Sequence, residues 1–246
     1  LLGGGVQLGV QLPAAVRLAG RFRPSLSLQI HGVRECLRNF APVVAARGAV
    51  NLSGYFDYFL AAFLTTGAVA VLGYAQTLYL LPISLFGMSI AASELPELSR
   101  QRARPPEELA AQISTALERI HFLLIPSTLA FVLLGDLFIG CIYQRGSFLA
   151  TDTPVVHAVL AAYALGLLAS SGSRVLSTAF YALRDTRTPA RVAYLRVALS
   201  LAIGVSLMFP LDGFGSGSLR FGAVGLAMGA SVAAWVEYVM LRRRLG

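Results

Sequence analysis

Apolar residues in this chain collect in runs of about twenty, such as residues 122–142 and 192–209, and this clustering constrains the fold more than any other feature. At about 1.5 Å of helical rise per residue, such a run crosses the roughly 30 Å of hydrocarbon in a bilayer. Composition agrees: 56% of the 246 residues are hydrophobic, only 13% are charged, and the mean hydropathy is +0.69. That is about half the charge of an ordinary soluble domain. No stretch alternates polar and apolar residues over the ten or so positions that a transmembrane β-strand needs. The expected fold is therefore all-α, a polytopic helical membrane protein.

All 20 basic residues are arginine, and the net charge is +8. They sit in short clusters between apolar runs, not on a polar domain that could track a phosphate backbone, so nucleic acid is not an expected partner. They read instead as topology signals. Cys36 and Cys141 stand at a spacing that matches no zinc or redox motif.

Residues 1–16 have no basic segment before them and carry Pro13, unlike a cleaved leader. They read as the end of a transmembrane helix of a longer protein, followed by a basic cytoplasmic linker over 17–38. Residues 39–246 read as a six-helix lobe with spans at about 39–64, 67–98, 120–143, 154–183, 188–209 and 221–241. A kink is expected at Pro82. Glu107 and Glu108 open an amphipathic helix, placed where the helix dipole favours acids, and this helix is expected to run on into the third span.

Loops 17–38, 99–104, 184–191 and 242–244 hold fourteen arginines, whereas 65–66, 144–153 and 210–220 hold only Arg145 and Arg220. The positive-inside rule puts the first set in the cytoplasm. Six spans in three hairpins form a common half-unit of secondary transporters.

Ionisable groups in hydrocarbon are costly, so each needs a partner, a wet cavity or a function. At 100° per residue Arg47, Asn51, Gly54, Asp57 and Tyr58 fall within an arc of about 120° on the first full span. Either this stripe lines a cavity, or Asp57 and Arg47 are each satisfied by a neighbouring helix. Gln76, Thr77 and Tyr79 on the second span suit a polar headgroup or polar contacts between helices. Glu94 and Glu97 lie beside Arg100, as an interfacial ion pair would. The small polar belt Ser170-Ser171-Gly172-Ser173-Arg174 permits close backbone approach, and Arg174 is a candidate anion contact or salt-bridge partner.

The turn Arg184-Asp185-Thr186-Arg187-Thr188-Pro189 carries a helix stop, an acid and a helix start, the pattern of a hairpin clamp. His31, His121 and His157 do not cluster in sequence, so no metal site is expected. No nucleophile–base set or glycine phosphate loop is present. Glu94, Glu97 and Asp185 are too few and too separated for a membrane enzyme, so neither catalysis nor a cofactor is expected.

The stretch GAVAVLGYAQTLYLLPISLFGMSIAASELPELSR at 67–100 resembles the second helix of the C-terminal lobe in the MurJ/MviN lipid II flippase family, part of the multidrug/oligosaccharidyl-lipid/polysaccharide exporter superfamily. GGGVQLGVQLP at 3–13 is similar to that family's sixth-helix end, FYALRDTRTPARVA at 180–193 to its tenth-to-eleventh helix turn, and GLAMGASVAAWVEYVMLRRRL at 225–245 to its twelfth helix. The resemblance implies a bacterial cytoplasmic-membrane protein with two six-helix lobes around a central cavity, the N-terminal lobe being a partner outside this chain. It implies movement of an undecaprenyl-linked peptidoglycan precursor to the outer leaflet by alternating access among membrane lipids, driven by membrane potential or a monovalent cation.

Asp57 falls where many members carry an acid or amide that in some helps to bind a cation. Many members have Ala-Asp-Arg where this chain has Ala75-Gln76-Thr77, so the arginine that would meet the diphosphate is missing at Thr77, and Arg47 or Arg174 are the candidate substitutes. Ser200 and Gly204 stand where cation-binding members place stronger ligands. The alternatives are a flippase or exporter for another polyprenyl-linked oligosaccharide or amphiphile, and a non-transporting scaffold for cell-wall synthesis.

Overall fold

A computed structural model describes residues 53–64, 66–87, 106–183, 185–213 and 220–245, together with positions 9, 10, 12, 13, 44 and 48. The chain divides into two units, Leu1–Arg38 and Asn39–Gly246. In the first, positions 9, 10, 12 and 13 are helical. The second contains helices α1 (residues 53–61), α2 (Ala68–Pro82), α3 (Pro106–Tyr143), α4 (Thr153–Leu165), α5 (Leu167–Ala182), α6 (Arg187–Gly213) and α7 (Gly222–Leu245). No strand occurs among the described residues.

Five helical stretches among the described residues are long and apolar enough to cross a membrane: Ala68–Phe86, Ala110–Tyr143, Thr153–Ala182, Arg187–Gly213 and Gly222–Leu245. Exposed apolar side chains include Phe122, Leu129, Leu133 and Leu137 on α3 and Phe56, Phe59 and Phe63 in and just after α1. In water that much apolar surface would drive aggregation, whereas in a bilayer it meets its natural solvent.

Lipid tails are as apolar as leucine, so burial alone does not hold these helices together, and close packing and interhelical hydrogen bonds must do it. Helices α6 and α7 show the first device. A Cβ built on Gly229 would sit 2.6 Å from the Gly204 amide nitrogen and 2.8 Å from the Ser200 carbonyl oxygen, and one on Gly225 would sit 2.7 Å from the Met208 nitrogen. The two backbones touch, which only glycine allows.

The span expected over 154–183 is interrupted at Gly166, which separates α4 from α5. There the Gly166 N–H turns back to the Tyr163 carbonyl at 3.0 Å, which takes the Ala162 carbonyl out of the regular ladder. Irregular backbone at membrane depth persists only where its polar groups find other partners. Ser231 Oγ donates to the Ala162 carbonyl at 2.6 Å, and Trp235 Nε1 donates to the Leu165 carbonyl at 2.8 Å. These two side chains lie one turn apart on α7, so one face of α7 seals the break.

Pro82 ends the α-helical part of α2, and the chain continues as a π-helical turn over Ile83–Gly87. The N–H that Pro82 lacks would have bonded to the Leu78 carbonyl one turn back, so the regular ladder loses a bond just before the π-helical turn begins. Helix α3 is continuous from Pro106, about 57 Å at ~1.5 Å per residue, so its first turns extend past the hydrocarbon. Over that part Ile113, Ala116, Leu117, Ile120 and Leu124 are buried, the apolar face of an amphipathic helix. Helix α6 runs through Pro210 to Gly213, four residues beyond the expected end at 209, because a proline late in a membrane helix removes one ladder bond without ending the helix.

Between α5 and α6, Asp185 Oδ1 accepts hydrogen bonds from the backbone N–H groups of Arg187 (3.0 Å) and Thr188 (3.1 Å), capping α6. Slight burial alone would raise this carboxyl. The hydrogen bonds from Thr188 and Arg187 and the charge of Arg191 outweigh it and hold the group below the usual carboxylate range. A depressed folded-state value means the cap stabilises above the unfolded value, near 3.9, and is lost as pH falls through the folded one. Asp185→Ala is expected to cost about 1 kcal/mol at neutral pH. Melting of the detergent-purified protein should show a gap between wild type and variant that closes below about pH 4. Arg187 is exposed, and Arg184 lies outside the described residues.

Candidate functional site

Four buried polar residues of the lobe, Ser53, Asp57, Ser200 and Ser231, line one cavity of about 180 Å³ between α1, α2, α4, α6 and α7. Ser53, Gly54 and Asp57 reach it from α1, since positions i, i+1 and i+4 share a helix face. Asp57 is 6% exposed. Gln76 and Tyr79 enter from α2, Tyr163 from the last turn of α4 beside the Gly166 break, Arg196 and Ser200 from α6, and Ser231 from α7.

A hydrogen-bond chain crosses three of these helices. Tyr58 Oη donates to Gln76 Oε1 at 2.8 Å, and Gln76 Nε2 donates to Tyr163 Oη at 3.0 Å. Tyr79 Oη donates to Ser170 Oγ at 3.1 Å, and its ring lies 5.3 Å from that of Tyr163. A glutamine suits this place because its amide accepts from one tyrosine and donates to another.

The charged centre is Arg196. One terminal nitrogen of its guanidinium lies 2.6 Å from Glu237 Oε2, with the side chains 23% and 8% exposed, and its positive charge also acts on Asp57 across the cavity. The described part of the site thus holds one guanidinium paired with a carboxylate, and a second carboxylate, Asp57, lines the same cavity as that guanidinium. Such a centre offers a fork of donors to an anion and carboxylate oxygens to a cation.

Of the residues singled out in the sequence, Gly54, Asp57, Gln76, Tyr79 and Ser200 line the cavity and Tyr58 supports it through Gln76. Thr77, one residue beyond Gln76, points 100° away around α2. It is exposed, and its Oγ1 donates to the Gly73 carbonyl at 2.8 Å. Arg174 sits on α5, away from the cavity lining. The belt beside it serves packing, since a Cβ on Gly172 would lie 2.6 Å from the Tyr238 ring. Arg47, Asn51, Glu94, Glu97 and Cys36 lie outside the described residues. His157 Nε2 lies 3.1 Å from the Val132 carbonyl and His121 packs against Tyr238, so neither faces the cavity. Among the described residues no group of three or more His, Cys, Asp or Glu could hold a metal.

Arg196 and Glu237 escape a reading of single helices because they are 41 residues apart and each looks like an isolated charge in its own span. Depth is the signal that joins them. Arg196 lies nine residues after the start of α6 and Glu237 eight before the end of α7, about 13 and 12 Å into the lobe from the same end. Antiparallel neighbours with opposite charges at one depth are natural partners.

Comparison with known proteins extends the geometry. The family model described as MurJ, lipid II flippase MurJ, matches residues 1–246. A probable lipid II flippase MurJ of Vibrio cholerae is 29% identical over 99% of this chain and 45% of its own length. Its counterpart in Rickettsia prowazekii is 30% identical over 85% of the chain and 39% of its own. A solved lipid II flippase MurJ in an inward closed conformation shares the fold, with TM-score 0.74 and 22% identity over 92% of this chain and 46% of that one. The chain therefore spans less than half the length of these relatives. A match of the family model from the first residue to the last, over a lobe with the same fold as a solved member, places this chain in the lipid II flippase MurJ family.

Proposed function

We propose that this lobe forms one wall of the path by which a polyprenyl-linked, pyrophosphate-bearing peptidoglycan precursor crosses the bacterial cytoplasmic membrane. The observation that carries the reading is the placement of Arg196 and Asp57 on one membrane-embedded cavity. A pyrophosphate in bare hydrocarbon would pay many kcal/mol of lost hydration. A hydrated cavity lined by a guanidinium and by the Tyr58–Gln76–Tyr163 chain replaces that hydration with fixed donors.

Arg196 supplies the cationic contact that Thr77 does not, and Glu237 orients its fork. Arg47 and Asn51, ten and six residues before Asp57 in the sequence, lie outside the described residues and are the proposed continuation of the polar path. Asp57 is the place where a monovalent cation or proton would couple to movement, with membrane potential worth about 2.3 kcal/mol per charge per 100 mV. Opening toward one face and then the other requires an opposing lobe.

The test expresses the intact gene in a bacterium depleted of its own lipid II flippase. Wild type is expected to restore growth, and Asp57→Ala and Arg196→Ala to lose it at equal membrane levels. Full rescue by both variants would exclude this cavity as the path. Failure of a well-expressed wild type would favour a different lipid-linked substrate or a scaffold role.

A further inference from the structure

A second cavity, of about 250 Å³, opens where α2, α4 and α7 begin and α3 and α6 end. All three arginine-poor connections contribute: Thr66 from the first, Phe148 and Asp152 from the second, Asp212 and Arg220 from either side of the third. By the positive-inside rule this is the outer face.

Its lining combines an aromatic corner with a charged wall. The Tyr74 ring lies 4.7 Å from that of Tyr143 and meets Phe148 edge-on at 5.3 Å, yet Tyr74 remains 37% exposed. Opposing charges come from Arg220 and Asp212, paired at 3.0 Å through Asp212 Oδ2. Asp212 Oδ1 is buried and has no hydrogen-bond partner among the described residues. A buried acceptor left open costs about 1–3 kcal/mol, so a small turn of the Asp212 carboxylate that brings Oδ1 to a donor in the pocket is favoured.

The chemistry narrows that ligand. An acyl chain would desolvate the ion pair without replacing its hydration. A simple anion would face two carboxylates, Asp152 and Asp212, against one guanidinium. A ring with an apolar C–H face for Tyr74 and a rim of groups that both donate and accept matches the aromatic corner and the charged wall together. The volume matches roughly eight water molecules at about 30 Å³ each, which suits one pyranose ring and not a whole headgroup.

We propose that this outer-face pocket binds a single hydroxyl-bearing sugar ring between the Tyr74 face and the Asp212–Arg220 pair. The proposal deepens the reading of the chain as part of a precursor flippase and rests on it for the source of the sugar, which would be the headgroup arriving at the outer leaflet.

The test uses the intact protein in lipid nanodiscs, with saturation-transfer NMR on soluble N,N′-diacetylchitobiose as the probe. Wild type is expected to give a saturable signal, and Tyr74→Ala and Arg220→Gln to lose most of it while keeping wild-type melting temperatures. Asp57→Ala, expected to lose growth rescue, should keep the sugar signal, which separates failure of transport from failure of this site. A wild-type protein that rescues growth but gives no signal overturns the proposal. A signal unchanged in both pocket variants, or one displaced by tetramethylammonium, overturns it equally.

Discussion

Glu237→Ala is expected to cost about 3–5 kcal/mol of stability and to abolish growth rescue. The variant leaves the Arg196 guanidinium deep in the lobe without the carboxylate that now lies 2.6 Å away. Without that carboxylate the guanidinium keeps only the cavity for hydration, and among the described residues the remaining acid on the same cavity, Asp57, makes no ion pair with it. Glu237→Gln, which keeps an acceptor oxygen, should fall between the two. Replacing both partners by methionine removes both charges together and is expected to restore most of the stability, since an apolar pair of similar volume often equals a buried ion pair. It should not restore rescue, because the cavity then lacks its cation. Melting of the detergent-purified protein and growth of the depleted strain read the two effects separately. Wild-type melting by Glu237→Ala would show that the pair contributes no stability, and rescue by the double-methionine protein would remove Arg196 from the substrate path.

Gly229→Ala is expected to be comparably damaging for a purely steric reason. The added methyl would fall 2.6 Å from one backbone atom of α6 and 2.8 Å from another. Ordinary carbon contacts begin near 3.5 Å, so the helices must separate by close to 1 Å along that line. A flexible side chain could turn aside, but here the opposing atoms are backbone. Overpacking typically costs about 1–3 kcal/mol, and the upper end or beyond is expected for a contact this rigid. Separation would also move Arg196 and Ser200 on α6 away from Ser231 on α7, loosening one wall of the cavity. Gly213→Ala is the matched control, because a Cβ there meets nothing within 4 Å. A sharp loss of melting temperature and membrane level for Gly229→Ala, with Gly213→Ala near wild type, is the expected pattern. Equal behaviour of the two would mean that the α6–α7 contact yields more readily than its geometry allows.

How much of this was legible in advance follows from what each feature depends on. Helix type and membrane class rest on local composition, and twenty consecutive apolar residues have few other fates. Asp57 and Gln76 stand out because a polar residue inside an apolar run must be accommodated somehow. The break at Gly166 was not legible, since a glycine in an apolar helix more often marks close packing, and what holds this break open comes from Ser231 and Trp235, about seventy residues downstream. Thr77 and Gln76 look equivalent in sequence, and one step of 100° around α2 puts one on the cavity and the other outside it.

The sequence by itself determined that this chain is a multi-pass helical membrane protein, where Pro82 would disturb a helix, and how its arginines divide between two sets of loops. Those properties depend on hydrocarbon thickness, backbone chemistry and charge asymmetry, all of which act on one segment at a time. Only the tertiary structure decided that Arg196 pairs with Glu237, that Ser231 and Trp235 satisfy the carbonyls freed at Gly166, and that five helices share one cavity around Asp57. In a bilayer every apolar face is equally content with lipid, so helix partners are chosen by glycine-permitted contact and by the need of each buried polar group for a complement.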